Sequence, residues 1–483
     1  MKTTNMQNLN DPLPRIDPFS RRDFVTGAGV ASLAALIPAC FSKAEAAAPV
    51  PGARPPGAAV DVREFGAIGD GVTDDTAAFQ KALDSCAPAK SGTVVVPDGA
   101  FAIRGHLDVP EGVALCGTLQ TVAYAIGAPE GGSRLLAFEG AGNGSGTPFI
   151  TLNTNSTLKG LKIFYPEQTK TNPPVAYPWT VASGGGRNLS IIDVLMVNPY
   201  QAVDFGSRVA TPHYIRNLYA YPLYRGIYVD RCYDCGKMEN VIFWPFWVPD
   251  MQAPLNDFVR ENCEAFIFGR TDWQVLINCF TICTKVGFRF VDHNPAGLAR
   301  FEPAPEAGGG ASGPNVMIFG GGADMCGEAV RVEQCQRHSG VSFVNSQIYG
   351  DTIVEKTNCG PVKFTACGFF GSLDGRRGIG IARTDGPGRV SFEGCHFFLY
   401  TGREKCNPET LFLVEGGRIG INNCCFHPNA KDTTYADPVA VVLKKPVLAA
   451  IITGNEFYGQ ARITNEVPDR STIANNIEGT AER

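Results

Sequence analysis

Histidine is scarce: six residues in 483, none in an HExxH pattern, so a histidine-built metal centre has no support. Long basic runs are absent and the formal net charge is −5, which argues against nucleic acid and anionic membranes as partners, because both need clustered Lys and Arg. The apolar run over residues 25–37 is too short for a stable membrane span. Tryptophan is rare as well. Three of the four (Trp244, Trp247, Trp273) fall within residues 243–274, among Asp250, Asp257, Arg260, Glu261, Glu264, Arg270 and Asp272. What the chain has in quantity is glycine (55) and proline (34), hence many turns, and 44% hydrophobic residues against 18% charged, enough for a large core.

The first fifty residues read as an address. Ser20, Arg21, Arg22, Asp23, Phe24 and Val25 resemble the twin-arginine export motif and precede the apolar run, with the small-x-small site Ala44, Glu45, Ala46 beyond it. Cleavage after Ala46 and lipidation at Cys40 are the two processing routes; Pro38 sits awkwardly for the second. The expected organisation is a signal peptide over 1–46, a Pro/Gly/Ala linker over 47–59 and one domain over 60–483. A twin-arginine substrate implies the export machinery as a partner and a periplasmic or secreted location.

Structure is expected from Val60, with Val62 and Phe65 alternating as a strand. A helix follows, capped by Asp74 or Asp75, with Phe79, Ala82, Leu83 and Cys86 at i, i+3, i+4 and i+7. Asp70, Asp74 and Asp75 fit turn and cap roles better than a metal site. VREFGAIGDGVTDDTAAFQKAL followed by GTVVVPDGAFAI resembles the first segment of the pectate-lyase-like superfamily, related to polygalacturonases. That resemblance implies an all-β, right-handed, single-stranded parallel β-helix with a short N-terminal capping helix, and more loosely a polysaccharide lyase, glycosidase, epimerase or tailspike.

The repeats stand on their own. Strand-like segments align on a shared turn-like position at Gly160, Asp193, Asn217, Asn240, Asn278, Asn345, Ala366, Gly394, Asn423 and Gly454, mostly at coil-sized intervals. The long gaps 240–278 and 278–345 must hold insertions or extra turns. A second ladder (AVDFG, GIYVD, AFIFG, GFRFV, AVRVE, LFLVE) alternates apolar residues, which puts Asp204, Tyr228, Ile267, Arg289 and Arg331 in one outward row, with Asp230 and Glu333 two positions further along. Cys279, Cys367, Cys395 and Cys424 recur at one coil position and read as an inward thiol stack. The lone pair Cys232 and Cys235 lacks the context of a redox or zinc site.

Glycoside hydrolysis by paired carboxylates is the expected chemistry, with Asp204 and Asp230 as the pair and Asp272 completing the cluster. Arg270, Arg289, Tyr228, Trp244, Trp247 and Trp273 are the expected substrate contacts, the aromatics by stacking on sugar faces. No cofactor is expected for hydrolysis. The alternative is β-elimination on a uronate glycan, for which the resemblance implies a basic side chain, here Arg289, Arg331 or Lys285, and Ca²⁺. A non-catalytic carbohydrate-binding β-helix is the third reading. His213, His293 and His338 are unpatterned and expected to be structural or solvent-exposed.

Overall fold

The computed structural model describes residues 57, 59–119, 131–298, 313–371, 379–399, 409–428 and 439–479. The export motif, Ala46, Cys40 and nearly all of the 47–59 linker lie outside the described residues. What is described belongs to the compact unit Arg54–Arg483.

The chain coils into a right-handed parallel β-helix. One sheet of 13 strands is ordered strictly along the chain from Leu107–Val109 to Ile463–Asn465, and a 27-stranded sheet carries the remaining faces. Alternation decides what fills the coil. Inward residues of successive rungs form one continuous apolar core from Val60 to Val467. Phenylalanines stack inside it, Phe266 on Phe288 at 4.9 Å and Phe364 on Phe392 at 5.0 Å, close to the rung spacing of about 4.8 Å.

All ten turn-like positions share one conformation. Each has positive φ, from 50° at Asn345 to 69° at Gly454, the left-handed region that favours Gly and Asn. Several add a side-chain ladder: Asn217 Nδ2 donates to Asp193 Oδ1 (2.7 Å), Asn240 to Asn217 (2.8 Å) and Asn278 to Asn240 (3.1 Å). The last bond shows that 240–278 is a single coil with an insertion. That insertion contains a helix, Pro254–Asn262, which the expectation of one capping helix had missed. The gap 278–345 holds an additional coil through Pro314–Phe319, turned at Gly320 with φ 59°.

The helix Thr76–Cys86 buries Phe79, Ala82, Leu83 and Cys86 as its spacing requires and packs on the first coils. The strand expected at residues 60–65 is shorter: Ala59–Asp61 is extended, and Val62–Phe65 is a 3₁₀ turn closed by a capping box from Asp61 and Glu64. The three early aspartates bind backbone. Asp70 accepts from Val72 N and Thr73 N, Asp74 from Thr76 N, and Asp75 from Ile68 N and Gly69 N. Cys279, Cys367, Cys395 and Cys424 are buried free thiols.

Candidate functional site

The outward row of the 13-stranded sheet is continuous in register. Asp108 pairs with Thr151, Thr151 with Ala182, Ala182 with Asp204, Asp204 with Tyr228, Tyr228 with Ile267, Ile267 with Arg289 and Arg289 with Arg331. The row changes character along its length.

In the middle it is covered. Tyr228 and Ile267 are buried with Trp179, Val291 and Leu298 in a satellite apolar cluster outside the coil. The chain after the strand Val286–Phe290 crosses over them, and Arg225 ties it down through Gly297 O at 3.0 Å. Tyr228, expected to touch substrate, is 0% exposed, and burial followed by the nearby Asp230 carboxylate raises its phenol pKa.

Asp230 lies under the same cover, also 0% exposed. Its Oδ1 accepts from Arg231 N, Arg270 N and His293 Nδ1, all at 2.8 Å, and its Oδ2 from Tyr228 Oη at 3.0 Å and Asn294 N at 2.8 Å. Five donors on two oxygens make this carboxylate a structural hub joining two coils and the crossing segment. Gly269 is required beside it, since a Cβ there would stand 2.6 Å from Asp230 Cγ. A carboxylate so enclosed is not placed to protonate a leaving group or activate water, and the expected pair with Asp204 is not realised.

Further on, the charges pair. Arg289 binds Glu264 (3.0 Å) and Glu333 (2.8 Å), and Arg331 binds Glu328, Glu333 and Glu355 at 3.0–3.1 Å. Burial disfavours the Arg289 charge, but its hydrogen bonds to Glu333 and Glu264 outweigh that and raise its pKa. Arg289 is therefore a ladder residue with its donors engaged by protein carboxylates.

Asp272 sits on the neighbouring face, bonded to Arg270 at 2.6 Å and Gln336 Nε2 at 2.6 Å. Burial works to raise its pKa, yet the bonds from Arg270 and Gln336 hold it below the usual value. Arg270 lies 5.9 Å from the ring of Tyr233, which is 37% exposed. The tryptophans separate. Trp244 stacks on Phe280 at 6.4 Å; Trp247 packs against the cluster of Tyr221, Leu255 and Val259, with Lys170 Nζ 5.0 Å from its ring; Trp273 is 65% exposed. Much of the aromatic stretch over 243–274 thus closes the side of the coil around the inserted helix.

At the N-terminal end the row opens into a cavity of about 710 Å³, within the range of small-molecule sites. Asp108, Asn153, Trp179, Asp204, Ser207 and Arg208 are among the residues that line it, and Ala182 lies in its wall between Thr151 and Asp204. Backbone N–H groups of Gly206 (3.0 Å) and Ser207 (2.8 Å) fix Asp204 Oδ1, and Asn153 Nδ2 donates to Asp108 Oδ1 at 2.6 Å. Asp108 and Asp204 stand three rungs apart, roughly 14 Å at the rung spacing. Parallel outward side chains keep such a separation, which exceeds the 6.5–9.5 Å or so of an inverting glycosidase pair. No residue of the 243–274 stretch lines the cavity.

Of the expected site residues, the cavity therefore includes Asp204 alone. Asp108, Trp179, Ser207 and Arg208 have no expected role in the sequence, whereas His293, expected to be structural or exposed, is structural as a partner of the Asp230 hub. Asp108 carried a signal, as the middle residue of the outward-alternating Leu-Asp-Val strand; His293 carried none, since 63 residues separate it from Asp230. Among the described residues no three His, Cys, Asp or Glu side chains gather as metal ligands, and no step below runs through Ca²⁺. No helix among them is long and apolar enough to cross a membrane.

A family model described as rhamnogalacturonase A/epimerase, pectate lyase-like, matches residues 59–286. Mannuronan C5-epimerase AlgE5 of Azotobacter vinelandii is 42% identical over 71 residues, 15% of this chain and 7% of that protein; alginate lyase 7 of the same organism is 38% identical over 71 residues, 15% of this chain and 8% of that protein. The matched stretch thus spans under a tenth of either relative. The A-module of the A. vinelandii epimerase AlgE6 superposes with a TM-score of 0.51 at 16% identity, covering 87% of this chain and 99% of that module; at that identity the likeness speaks for the fold alone. Coil order, turn conformation and superposition agree on the fold: the chain is a right-handed parallel β-helix, and its residues 59–286 match the pectate-lyase-like family model.

Proposed function

We propose that this protein modifies a uronate-containing polysaccharide by removing the proton at C5 of a uronate residue, with epimerisation or β-elimination as the outcome, in place of hydrolysis. The observation that carries the reading is the state of the carboxylates. Asp230 is enclosed by five donors, and Asp108 and Asp204 are three rungs apart, so paired-carboxylate hydrolysis finds no pair among these three carboxylates. The similarity to proteins named as mannuronan C5-epimerase and alginate lyase supports the same choice.

In this reading Asp204 is the general base, its carboxylate oriented by the Gly206 and Ser207 N–H groups. The Arg208 guanidinium on the same wall meets the uronate carboxylate and lowers the cost of the carbanion formed at C5. In elimination the C5 proton passes to Asp204, the C4–O bond breaks with its electrons leaving on the glycosidic oxygen, that oxygen gains a proton, and C4=C5 forms. In epimerisation a proton returns to C5 from the opposite face. Export by the twin-arginine route, read from residues 20–46, belongs to the same proposal, because a glycan substrate of this kind lies outside the cytoplasm.

Incubation with polymannuronate, polygalacturonate and a neutral glucan tests it. The expected products are unsaturated or C5-inverted uronates from one of the polyuronates, lost in Asp204→Asn. Saturated fragments from any of the three glycans, or unchanged turnover in Asp204→Asn, would overturn it; binding of a glycan without any conversion would point to the non-catalytic reading.

A further inference from the structure

The stretch of the outward row that borders the cavity is open at one end and shut at the other. Asp108 is exposed, Thr151 is half-buried, and Ala182 and Asp204 are 4% and 3% exposed. Asp108 lies on the first strand of its sheet, so no further rung follows on that side. On the other side the residue in register with Asp204 is the fully buried Tyr228. Its ring leans over the turn after Asp204, where a Cβ on Gly206 would stand 2.3 Å from Tyr228 Cε1.

What shuts the row is the crossing segment, residues 291–298. Val291 and Leu298, at its two ends, are buried with Trp179, Tyr228 and Ile267, and Trp179 also lines the cavity, so its side chain is a wall shared by the two. Between those ends polar contacts pin the segment. His293 Nδ1 and Asn294 N donate to Asp230 at 2.8 Å, Asn294 Oδ1 accepts from Arg231 Nη2 at 3.3 Å, and Gly297 O accepts from Arg225 Nη2 at 3.0 Å. A segment held at both ends and in the middle is a fixed barrier. The flanks of the cavity are closed as well, by Ser145 to Pro148 ahead of the strands and by Gly184, Ser207 and Arg208 after them. A polymer lying along the row meets the barrier just beyond Asp204 and can enter only by an end.

We infer that the segment 291–298 makes the protein act on chain ends, admitting the reducing end of a uronate chain to Asp204 and excluding chain interiors. The inference rests on the uronate-modifying reading above, with Asp204 as the base. Which end enters follows from the chemistry of elimination. The C4–O bond that breaks joins the reacting residue to the chain on its non-reducing side, so that chain runs back over Ala182 and Thr151 toward Asp108. The side facing the barrier is then C1, which bears a free hydroxyl only at a reducing end. The C5 proton passes to Asp204, C4=C5 forms, and the shortened chain leaves with the C4 oxygen, which takes up a proton from solvent. The product is an unsaturated monosaccharide. Val291 and Leu298 set this specificity through the barrier, without touching the reacting atoms.

Calorimetric binding of polymannuronate and polygalacturonate to the full chain tests this without turnover. Each polymer is compared in two forms, one with free reducing ends and one with a bulky aromatic amine coupled there at C1. The tag is expected to weaken binding at least about 10-fold, the discrimination that a built-in clash provides. Equal masses of polymer cut shorter are expected to bind more protein, in proportion to their ends. Leu298→Ala and Arg225→Ala loosen the barrier at an apolar and a polar anchor, and in them the tagged polymer should regain much of its affinity. Equal affinity for tagged and free polymer in the unaltered protein would overturn the inference, as would unsaturated fragments of many lengths cut from chain interiors. If both variants fold, by their Tm, and still discriminate as before, the segment is not the barrier and the inference falls. The two proposals fail separately. End-dependent binding without conversion keeps the barrier and removes the reaction, whereas conversion indifferent to the tag keeps the reaction and removes the barrier; no binding to either polyuronate removes both.

Discussion

One outward row of one sheet passes through two regions of opposite character. Around Asp108, Ala182 and Asp204 it borders a cavity of about 710 Å³; at Arg289 and Arg331 it is a ladder of ion pairs with Glu264, Glu328, Glu333 and Glu355. Strand geometry is the same in both. Outward charge at regular spacing is therefore not evidence of a site, since carboxylates and guanidinia on adjacent rungs satisfy one another. Between the two regions the buried Asp230 hub holds down the segment that separates them.

The comparison can be broken by substitution. Asp230→Ala should have the largest effect on stability, a loss of about 3–5 kcal/mol in denaturant unfolding, because it strands five buried donors; a loss below about 1 kcal/mol would mean that the cover is held by something else. Acid should have the next largest effect on stability. His213, buried near Phe205 at 5.5 Å, has its pKa lowered by burial to about 4, only partly offset by its bond to Ala210 O. The unfolded chain takes up this proton near 6.5 and the folded chain does not, so the contribution is intact above about pH 6.5 and declines as pH falls toward 4, by up to about 3 kcal/mol. His213→Gln should flatten that part of the stability profile.

Asp204→Asn should lower turnover at least about 100-fold, the usual worth of a general base, with little change in Tm. Gly269→Ala pushes a Cβ into the Asp230 carboxyl and should cost about 1–3 kcal/mol by overpacking, which separates the hub from the cavity if glycan affinity is kept. Arg289→Met should be the mildest, about 1 kcal/mol or less, salt-dependent and without effect on turnover. A strong loss of turnover there would move the site to the ladder.

Much of the scaffold was legible. The ten turn positions could be aligned because a left-handed backbone restricts residue choice, and all ten have that backbone. The row Asp204, Tyr228, Ile267, Arg289, Arg331 could be read because strand alternation has a strict period of two, and its register holds. The site was less legible for physical reasons. The segment that buries Tyr228 and Asp230 is irregular and carries no period, so these residues looked exposed. The cavity draws its lining from four separate stretches between Asp108 and Arg208, which no local pattern joins. The tryptophans at 244 and 247 resembled a sugar platform, but aromatics are equally suited to packing around the inserted helix.

The most direct test of the central claim is nuclear magnetic resonance of a polyuronate after incubation with the protein in D₂O. Proton removal at C5 predicts that the C5–H signal is replaced by deuterium with inversion, or lost to a C4=C5 double bond. Saturated oligomers with new reducing ends and an undiminished C5–H signal would contradict it.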